Sequence, residues 1–164
     1  MLKLENLYLD TYSEKYKNLL ESFNNESKSD FIYNIADRLI SSSNKDKFTF
    51  DVGYVVLNES LEGVGYVFIS GIRNDNLYIE YSITKENRGY GYGKKLLNEV
   101  TNYLFENYNI KDARLDIDSS NQKSIKTAEA CGYFLDEDDF ERKGYQGKMI
   151  FIKDNPYYIS KRLK

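Results

Sequence analysis

Arg88-Gly89-Tyr90-Gly91-Tyr92-Gly93-Lys94 decides how the rest of the chain is read. Upstream, Leu77, Ile79, Tyr81 and Ile83 recur at every second residue, the period of a strand face. Downstream, Leu96, Leu97, Val100, Tyr103 and Leu104 recur at helical spacing. The glycines therefore stand where a strand ends and an amphipathic helix opens. The first turn of a helix carries unpaired N–H groups and a partial positive charge, so several amides can hold one anion there. Alternate glycines remove the Cβ atoms that would keep a diphosphate away, and Arg88, Lys94 and Lys95 add charge. A glycine in regular structure costs roughly 0.5–1 kcal/mol, so three within five residues imply a ligand. Other phosphate motifs fit worse. A P-loop would need Gly at Arg88 and Ser or Thr at Lys95, and a dinucleotide fingerprint started at Gly89 would need Gly at Lys94.

Working outward, the period-two runs Phe48–Val56, Val64–Phe68 and Leu77–Ile83 are linked by short turns at Asn58–Gly63 and Arg73–Asn76, which predicts an antiparallel meander. Ala113, Leu115 and Ile117 form a further strand after the helix, and a right-handed parallel crossover is expected. Residues 121–131 read as a helix stopped by Gly132, followed by closing strands from Tyr133 and at Lys148–Ile152. At the other end, Lys3–Leu9 reads as a first strand, Thr11-x-x-Glu14 as a capping box, and Tyr12, Tyr16, Leu19, Leu20 and Phe23 as one helical face. A second helix from about Asp30 puts Phe31, Ile35, Leu39 and Ile40 on one face, and Ser41–Asp46 reads as a loop. Asn155-Pro156 bends the tail, and Asp136–Asp139 reads as a solvated acidic turn.

The 164 residues fit a single domain over 1–164, and 41% hydrophobic with 15% aromatic content argues against disorder. Net charge is −3, which gives no broad basic field for nucleic acid. There is no histidine, which excludes Ser-His and Cys-His nucleophiles and His-ligated metal, so no metal is expected. The single cysteine, Cys131, makes an intrachain disulfide impossible and points to a reducing compartment. The opening MLKLENLYLDTYSEKYK lacks the apolar core of a signal peptide, and no run is long enough to span a membrane. The expectation is a cytoplasmic protein.

Arg88-x-x-Gly91-x-Gly93 resembles the Arg/Gln-x-x-Gly-x-Gly/Ala motif of the GNAT family of N-acetyltransferases. The order of elements around it is similar as well. Asn121-x-x-Ser124-Ile125-x-x-Ala128-Glu129-x-x-Gly132-Tyr133 resembles that family's second block, closest in flavour to ribosomal-protein N-terminal acetyltransferases. The resemblance covers roughly residues 48–153. It implies an α/β fold: a mixed, mostly antiparallel sheet with helices on both faces and one βαβ crossover. It also implies acetyl-CoA as co-substrate and direct transfer of the acetyl group to a primary amine. Ser82, Ile83 and Thr84 would meet the pantetheine arm, Arg88, Gly89, Tyr90, Gly91, Tyr92, Gly93 and Lys94 the diphosphate, and Asn121 and Ser124 the pantetheine. Asn121 reads equally as a plain helix cap.

The catalytic groups are less determined. The general acid that many relatives carry as a Tyr seven residues after the Asn falls on Ala128 here, leaving Tyr133 and Tyr81 as substitutes, or a water. A base position of the family falls on Asp116, which also reads as a solvated strand carboxylate. Glu80 is the other carboxylate candidate, expected on the face opposite Ile79 and Tyr81. Cys131 reads as a small buried side chain rather than a nucleophile. The departure at Ala128 leaves open a different class of function, a non-catalytic acyl-CoA-binding or sensor module on the same fold. The acceptor, which could be a protein α-amine, lysine, a polyamine, an amino sugar or a small antibiotic, is open, and so is a homodimer.

Overall fold

The computed structural model describes residues 1–24, 31–42, 52–71, 75–143 and 147–160. In chain order these form β1 Leu2–Lys3, β2 Tyr8–Asp10, α1 Lys17–Asn24, α2 Phe31–Ser42, β3 Val52–Leu57, β4 Gly63–Gly71, β5 Asn76–Ile83, α3 Tyr92–Asn107, β6 Asp112–Asp118, α4 Gln122–Ala130, β7 Phe134–Leu135, α5 Glu137–Lys143 and β8 Lys148–Asp154. The strands make one sheet in the order β1-β2-β3-β4-β5-β6-β8-β7, antiparallel at every pairing except β5 with β6. The fold is the mixed α/β sheet expected, with helices on both faces and a βαβ crossover through α3.

The hydrophobic patterning explains which face each helix takes. Leu96, Leu97, Val100 and Leu104 of α3 bury one stripe against Ile79 and Ile83 of β5 and Leu115 of β6, with Ile125 and Ala128 of α4 in the same cluster. On the opposite face Tyr16, Leu19 and Phe23 join Ile35 and Leu39 of α2 over Val55, Leu57, Tyr66 and Phe68. Strands covered on both sides lose simple alternation, which is why β3 reads Val-Gly-Tyr-Val-Val-Leu. Pairing of Val56 with Gly65 and of Leu57 with Gly63 leaves Val64 as an extra residue, a bulge that turns its side chain to the face opposite Tyr66 and Phe68. None of the helices in the described residues is long and apolar enough to cross a membrane.

Several local expectations are corrected. Lys3–Leu9 is not one strand: it runs from the end of β1 through a hairpin turn into β2, the turn closed by the Leu4 amide donating to the Leu7 carbonyl at 2.8 Å. That turn is held from the helix layer: buried Glu99 of α3 accepts from the Asn6 amide and, at 3.1 Å, from the Leu7 amide. The Thr11 capping box does not form, because a short 3-10 turn over Glu14–Tyr16 starts at Ser13, without a side-chain cap, and leads into α1. Ile40 is exposed, having fallen off the buried face of α2. Ser41 and Ser42 still belong to α2, while 43–46, Phe48, Phe50 and the turn residues Arg73 and Asn74 lie outside the described residues. Gly63 begins β4 rather than ending a turn. Asp136–Asp139 is not a solvated turn. Asp136 caps α5 by accepting from the Asp139 amide at 3.2 Å, and the acidic first turn suits the positive end of that helix.

The geometry that matters for a site lies between β5 and β6. They pair only over Asn76–Tyr78 and Asp112–Arg114. Both strands continue, to Ile83 and Asp118, without pairing, so the sheet opens into a V. At the hinge of the V, Asp112 is buried and accepts from Asn76 Nδ2 at 2.9 Å and from Arg114 at 2.9 and 3.2 Å.

Candidate active site

β5 ends at Ile83, a short 3-10 turn covers Lys85–Asn87, and α3 opens at Tyr92. The chain turns sharply between them because Gly89 and Gly91 take φ of +86° and +82°, a left-handed conformation costly for any residue with a Cβ. The turn is also pinned by Arg88, whose Nε donates to the Ile83 carbonyl at 2.9 Å. Gly91 is the N-cap residue of α3 and supplies no side chain, and the first intrahelical bond runs from the Lys95 amide to the Gly91 carbonyl. The amides of Tyr92, Gly93 and Lys94 therefore have no carbonyl within the helix to bond. A Cβ built on Gly89 or Gly91 meets nothing within 4 Å, so the glycines face open space.

That space is a cleft of about 560 Å³. Arg88, Lys94 and Lys123 line it and, among the described residues, no carboxylate does. Its floor is the edge of β5 at Ser82 and Ile83 that faces away from β4 and has no β6 partner, and its far wall is α4. α4 starts at Asn121, whose Oδ1 accepts from the Ser124 amide at 3.2 Å, so Asn121 is a helix cap as well as a lining residue. A second cleft of about 550 Å³ occupies the V itself. Glu80, Asp116 and Asp118 line it, against a single lysine, Lys148. The two clefts share three residues, Tyr81, Asn121 and Ser124. The basic and acidic halves therefore meet at one point.

Most residues expected at the diphosphate and pantetheine line the basic cleft: Ser82, Ile83, Arg88, Gly89, Gly91, Tyr92, Gly93, Lys94, Asn121 and Ser124. Thr84 and Tyr90 do not. Thr84 is buried with its hydroxyl accepting from Asn87 Nδ2 at 2.6 Å, and Tyr90 points outward, 72% exposed. Of the acid–base candidates, Asp116 is exposed on the acidic cleft, on the off-core face as expected. Glu80 also reaches that cleft but is held in an ion pair with Arg38 of α2 at 2.9 Å. Tyr133 lines neither cleft. Its hydroxyl is buried in a 2.6 Å hydrogen bond with Thr101, and burial pushes its pKa far up, so the phenol is structural. Tyr81 is the tyrosine at the junction, with burial, aided by the nearby Cys131, raising its pKa to about 12.

Sequence reasoning missed Asn87, Lys123 and Thr127 in the basic cleft and Ser70, Tyr78, Asp118 and Lys148 in the acidic one. Thr127 was legible, because Asn121, Ser124 and Thr127 step by three along one helix face. Lys148 was not, because only the register of β6 on β8 sets it opposite Asp118.

An uncapped helix start thus faces a basic cleft that no carboxylate among the described residues lines, and a cleft lined by Glu80, Asp116 and Asp118 adjoins it. A family model for the GNAT acetyltransferase domain matches residues 6–134, and the chain belongs to that family. By class it is an acetyltransferase. No curated protein sequence matches the chain significantly. Among solved structures the fold is similar to ribosomal-protein-S5-alanine acetyltransferase from Vibrio fischeri, at 16% identity over 97% of this chain and 98% of that one, TM-score 0.73. It is similar to the microcin C7 self-immunity acetyltransferase in complex with acetyl-CoA and AMP, at 20% identity over 92% and 93%, TM-score 0.70. It is also similar to spermidine N-acetyltransferase from Vibrio cholerae in complex with CoA and spermine, at 16% identity over 94% and 99%, TM-score 0.69.

Proposed function

We propose that the basic cleft takes acetyl-CoA and the acidic cleft takes a cationic primary amine, to which the acetyl group passes directly. The observation that carries this is the junction: the anion-binding half and the carboxylate-lined half share Tyr81, Asn121 and Ser124. The residues present fit the co-substrate. The α3 amides with Arg88, Lys94 and Lys123 would hold its phosphates, and the open edge of β5 at Ser82 and Ile83 would hold its amide-bearing arm. Acetyl-CoA supplies a thioester, a carbonyl carbon activated for attack by an amine. The chain's own contribution is to place the two reactants together and keep the amine's electron pair available.

A protonated amine has no lone pair, so a base must act first or during attack. Asp116 is the carboxylate this reading assigns, taking the proton through a water, because Glu80 is occupied by Arg38 and Asp118 by Ser120. Asp118 accepts from both the amide and the hydroxyl of Ser120, and those bonds lower its pKa. Asp116→Asn should lower kcat by roughly 10²-fold, the usual scale for loss of a general base. The rate should also report the acceptor: kcat/KM should level off near pH 8 for an α-amine, whose pKa is about 7.7–8.0, and keep rising past pH 9 for a lysine, near 10.4.

The test is thiol release from acetyl-CoA with a panel of amines: an N-terminal peptide, a lysine peptide, a polyamine and an amino sugar. Release with any of them supports the reading. Binding of acetyl-CoA with no release for any amine would make the chain a non-catalytic acyl-CoA-binding module, the alternative that Ala128 leaves standing.

A further inference from the structure

The helix-borne Tyr of similar acetyltransferases falls, by the resemblance, on Ala128, and that position is closed here. Ala128 has no exposed surface and is packed into the core under α4. Tyr81, on the facing strand β5, packs against the same cluster. Its ring lies 3.5 Å from where a Cβ on Gly93 would stand, directly beneath the first turn of α3. It is also the one side chain with a phenol among the three residues common to both clefts. Tyr133, the other candidate, is tied to Thr101 in the core, whereas the Tyr81 hydroxyl makes no hydrogen bond among the described residues. Cys131 lies close to it and is itself neutral, since burial raises its thiol pKa.

We infer that Tyr81 is the residue that protonates the leaving sulfur, a strand-borne acid standing in for a helix-borne one. The inference rests on the N-acetyltransferase reading above. As the amine nitrogen bonds the acyl carbon, the carbon–sulfur bond breaks and its electron pair goes to sulfur. The Tyr81 hydroxyl gives its proton to that sulfur, the proton shed by the amine passes to Asp116 or water, and solvent reprotonates the phenolate. Burial raises the Tyr81 pKa to about 12, so the phenol carries its proton at neutral pH.

Tyr81→Phe keeps the ring and removes the hydroxyl. With the best acceptor of the amine panel, kcat should fall roughly 100-fold or more, within the 10²–10⁴ range of general-acid loss, and KM for acetyl-CoA should stay within about threefold. A second arm needs no turnover. The wild type should bind CoA more tightly than a CoA analogue whose thiol group is replaced by hydrogen, and Tyr81→Phe should lose that preference while binding the analogue as the wild type does. A kcat within threefold of wild type overturns the assignment, and so does a variant that keeps the preference for the thiol. If the wild type releases no thiol with any amine, the proposed function fails on its own, and the binding arm still decides whether Tyr81 faces the sulfur.

Discussion

Gly91→Glu is expected to abolish acetyl-CoA binding and lower kcat/KM by at least about 10³-fold, while the protein remains folded. Gly91 caps α3 in a left-handed conformation at the centre of the cradle. Any Cβ there costs about 1–2 kcal/mol of backbone strain. For a chain of this size that lowers the melting temperature by roughly 2–8 °C. Nothing else clashes, because a Cβ at this position meets no atom within 4 Å. The functional loss is much larger than the stability loss. A carboxylate would stand where the amides of Tyr92, Gly93 and Lys94 present an anion site. Each charge-assisted bond lost is worth about 1.5–3 kcal/mol, and repulsion of the diphosphate adds to it. Gly91→Ala separates the two effects, since it carries the strain without the charge and should fall between wild type and glutamate. Calorimetric titration with acetyl-CoA reads the difference, and wild-type affinity in Gly91→Glu would remove the diphosphate from this cradle.

Asp112→Ala should be the most destabilising of the single changes considered, because Asp112 holds the hinge from which the V opens. The carboxylate is buried and satisfies both the Asn76 amide and the Arg114 guanidinium. Removing one partner of a buried ion pair costs about 3–5 kcal/mol, because the other charge is left without compensation. Arg114 keeps about a quarter of its side chain in water, at 26% exposed, which reduces the penalty to roughly 2–4 kcal/mol. The expected fall in melting temperature is about 5–15 °C. Urea unfolding would check the magnitude. A change below about 0.5 kcal/mol would mean that β5 and β6 are held together by their backbone pairing and packing alone.

The two predictions differ in how much of their basis the sequence carried. The cradle was legible at Gly91 because a glycine run between a period-two segment and a helical one has few physical explanations. The hinge was invisible: Asp112 and Asn76 lie 36 residues apart, and only the parallel register brings them together. The same distinction runs through the fold. Helix α3 and strands β5 and β6 followed from periodicity and α4 from its Gly132 stop, whereas the hairpin at Leu2–Asp10 did not, because its turn is fixed by Glu99 on a helix 92 residues away. Tyr81 and Tyr133 could not be separated by sequence, since both are aromatic residues beside a cleft-forming element. Tyr133 is spent on Thr101 and Tyr81 faces the junction, a matter of packing that no local pattern encodes. Asp116 and Glu80 likewise read alike until Arg38, from a helix with no motif of its own, was found holding Glu80.

The central claim is that the glycine cradle binds the diphosphate of acetyl-CoA, and thermal unfolding tests it most directly. A ligand at 100 times its Kd adds about 2.7 kcal/mol to stability. At this chain length that is roughly 5–10 °C. The account predicts a shift of that size with acetyl-CoA and with CoA, and little or none with ATP at the same concentration. No shift at millimolar acetyl-CoA, or an equal shift with ATP, would contradict it.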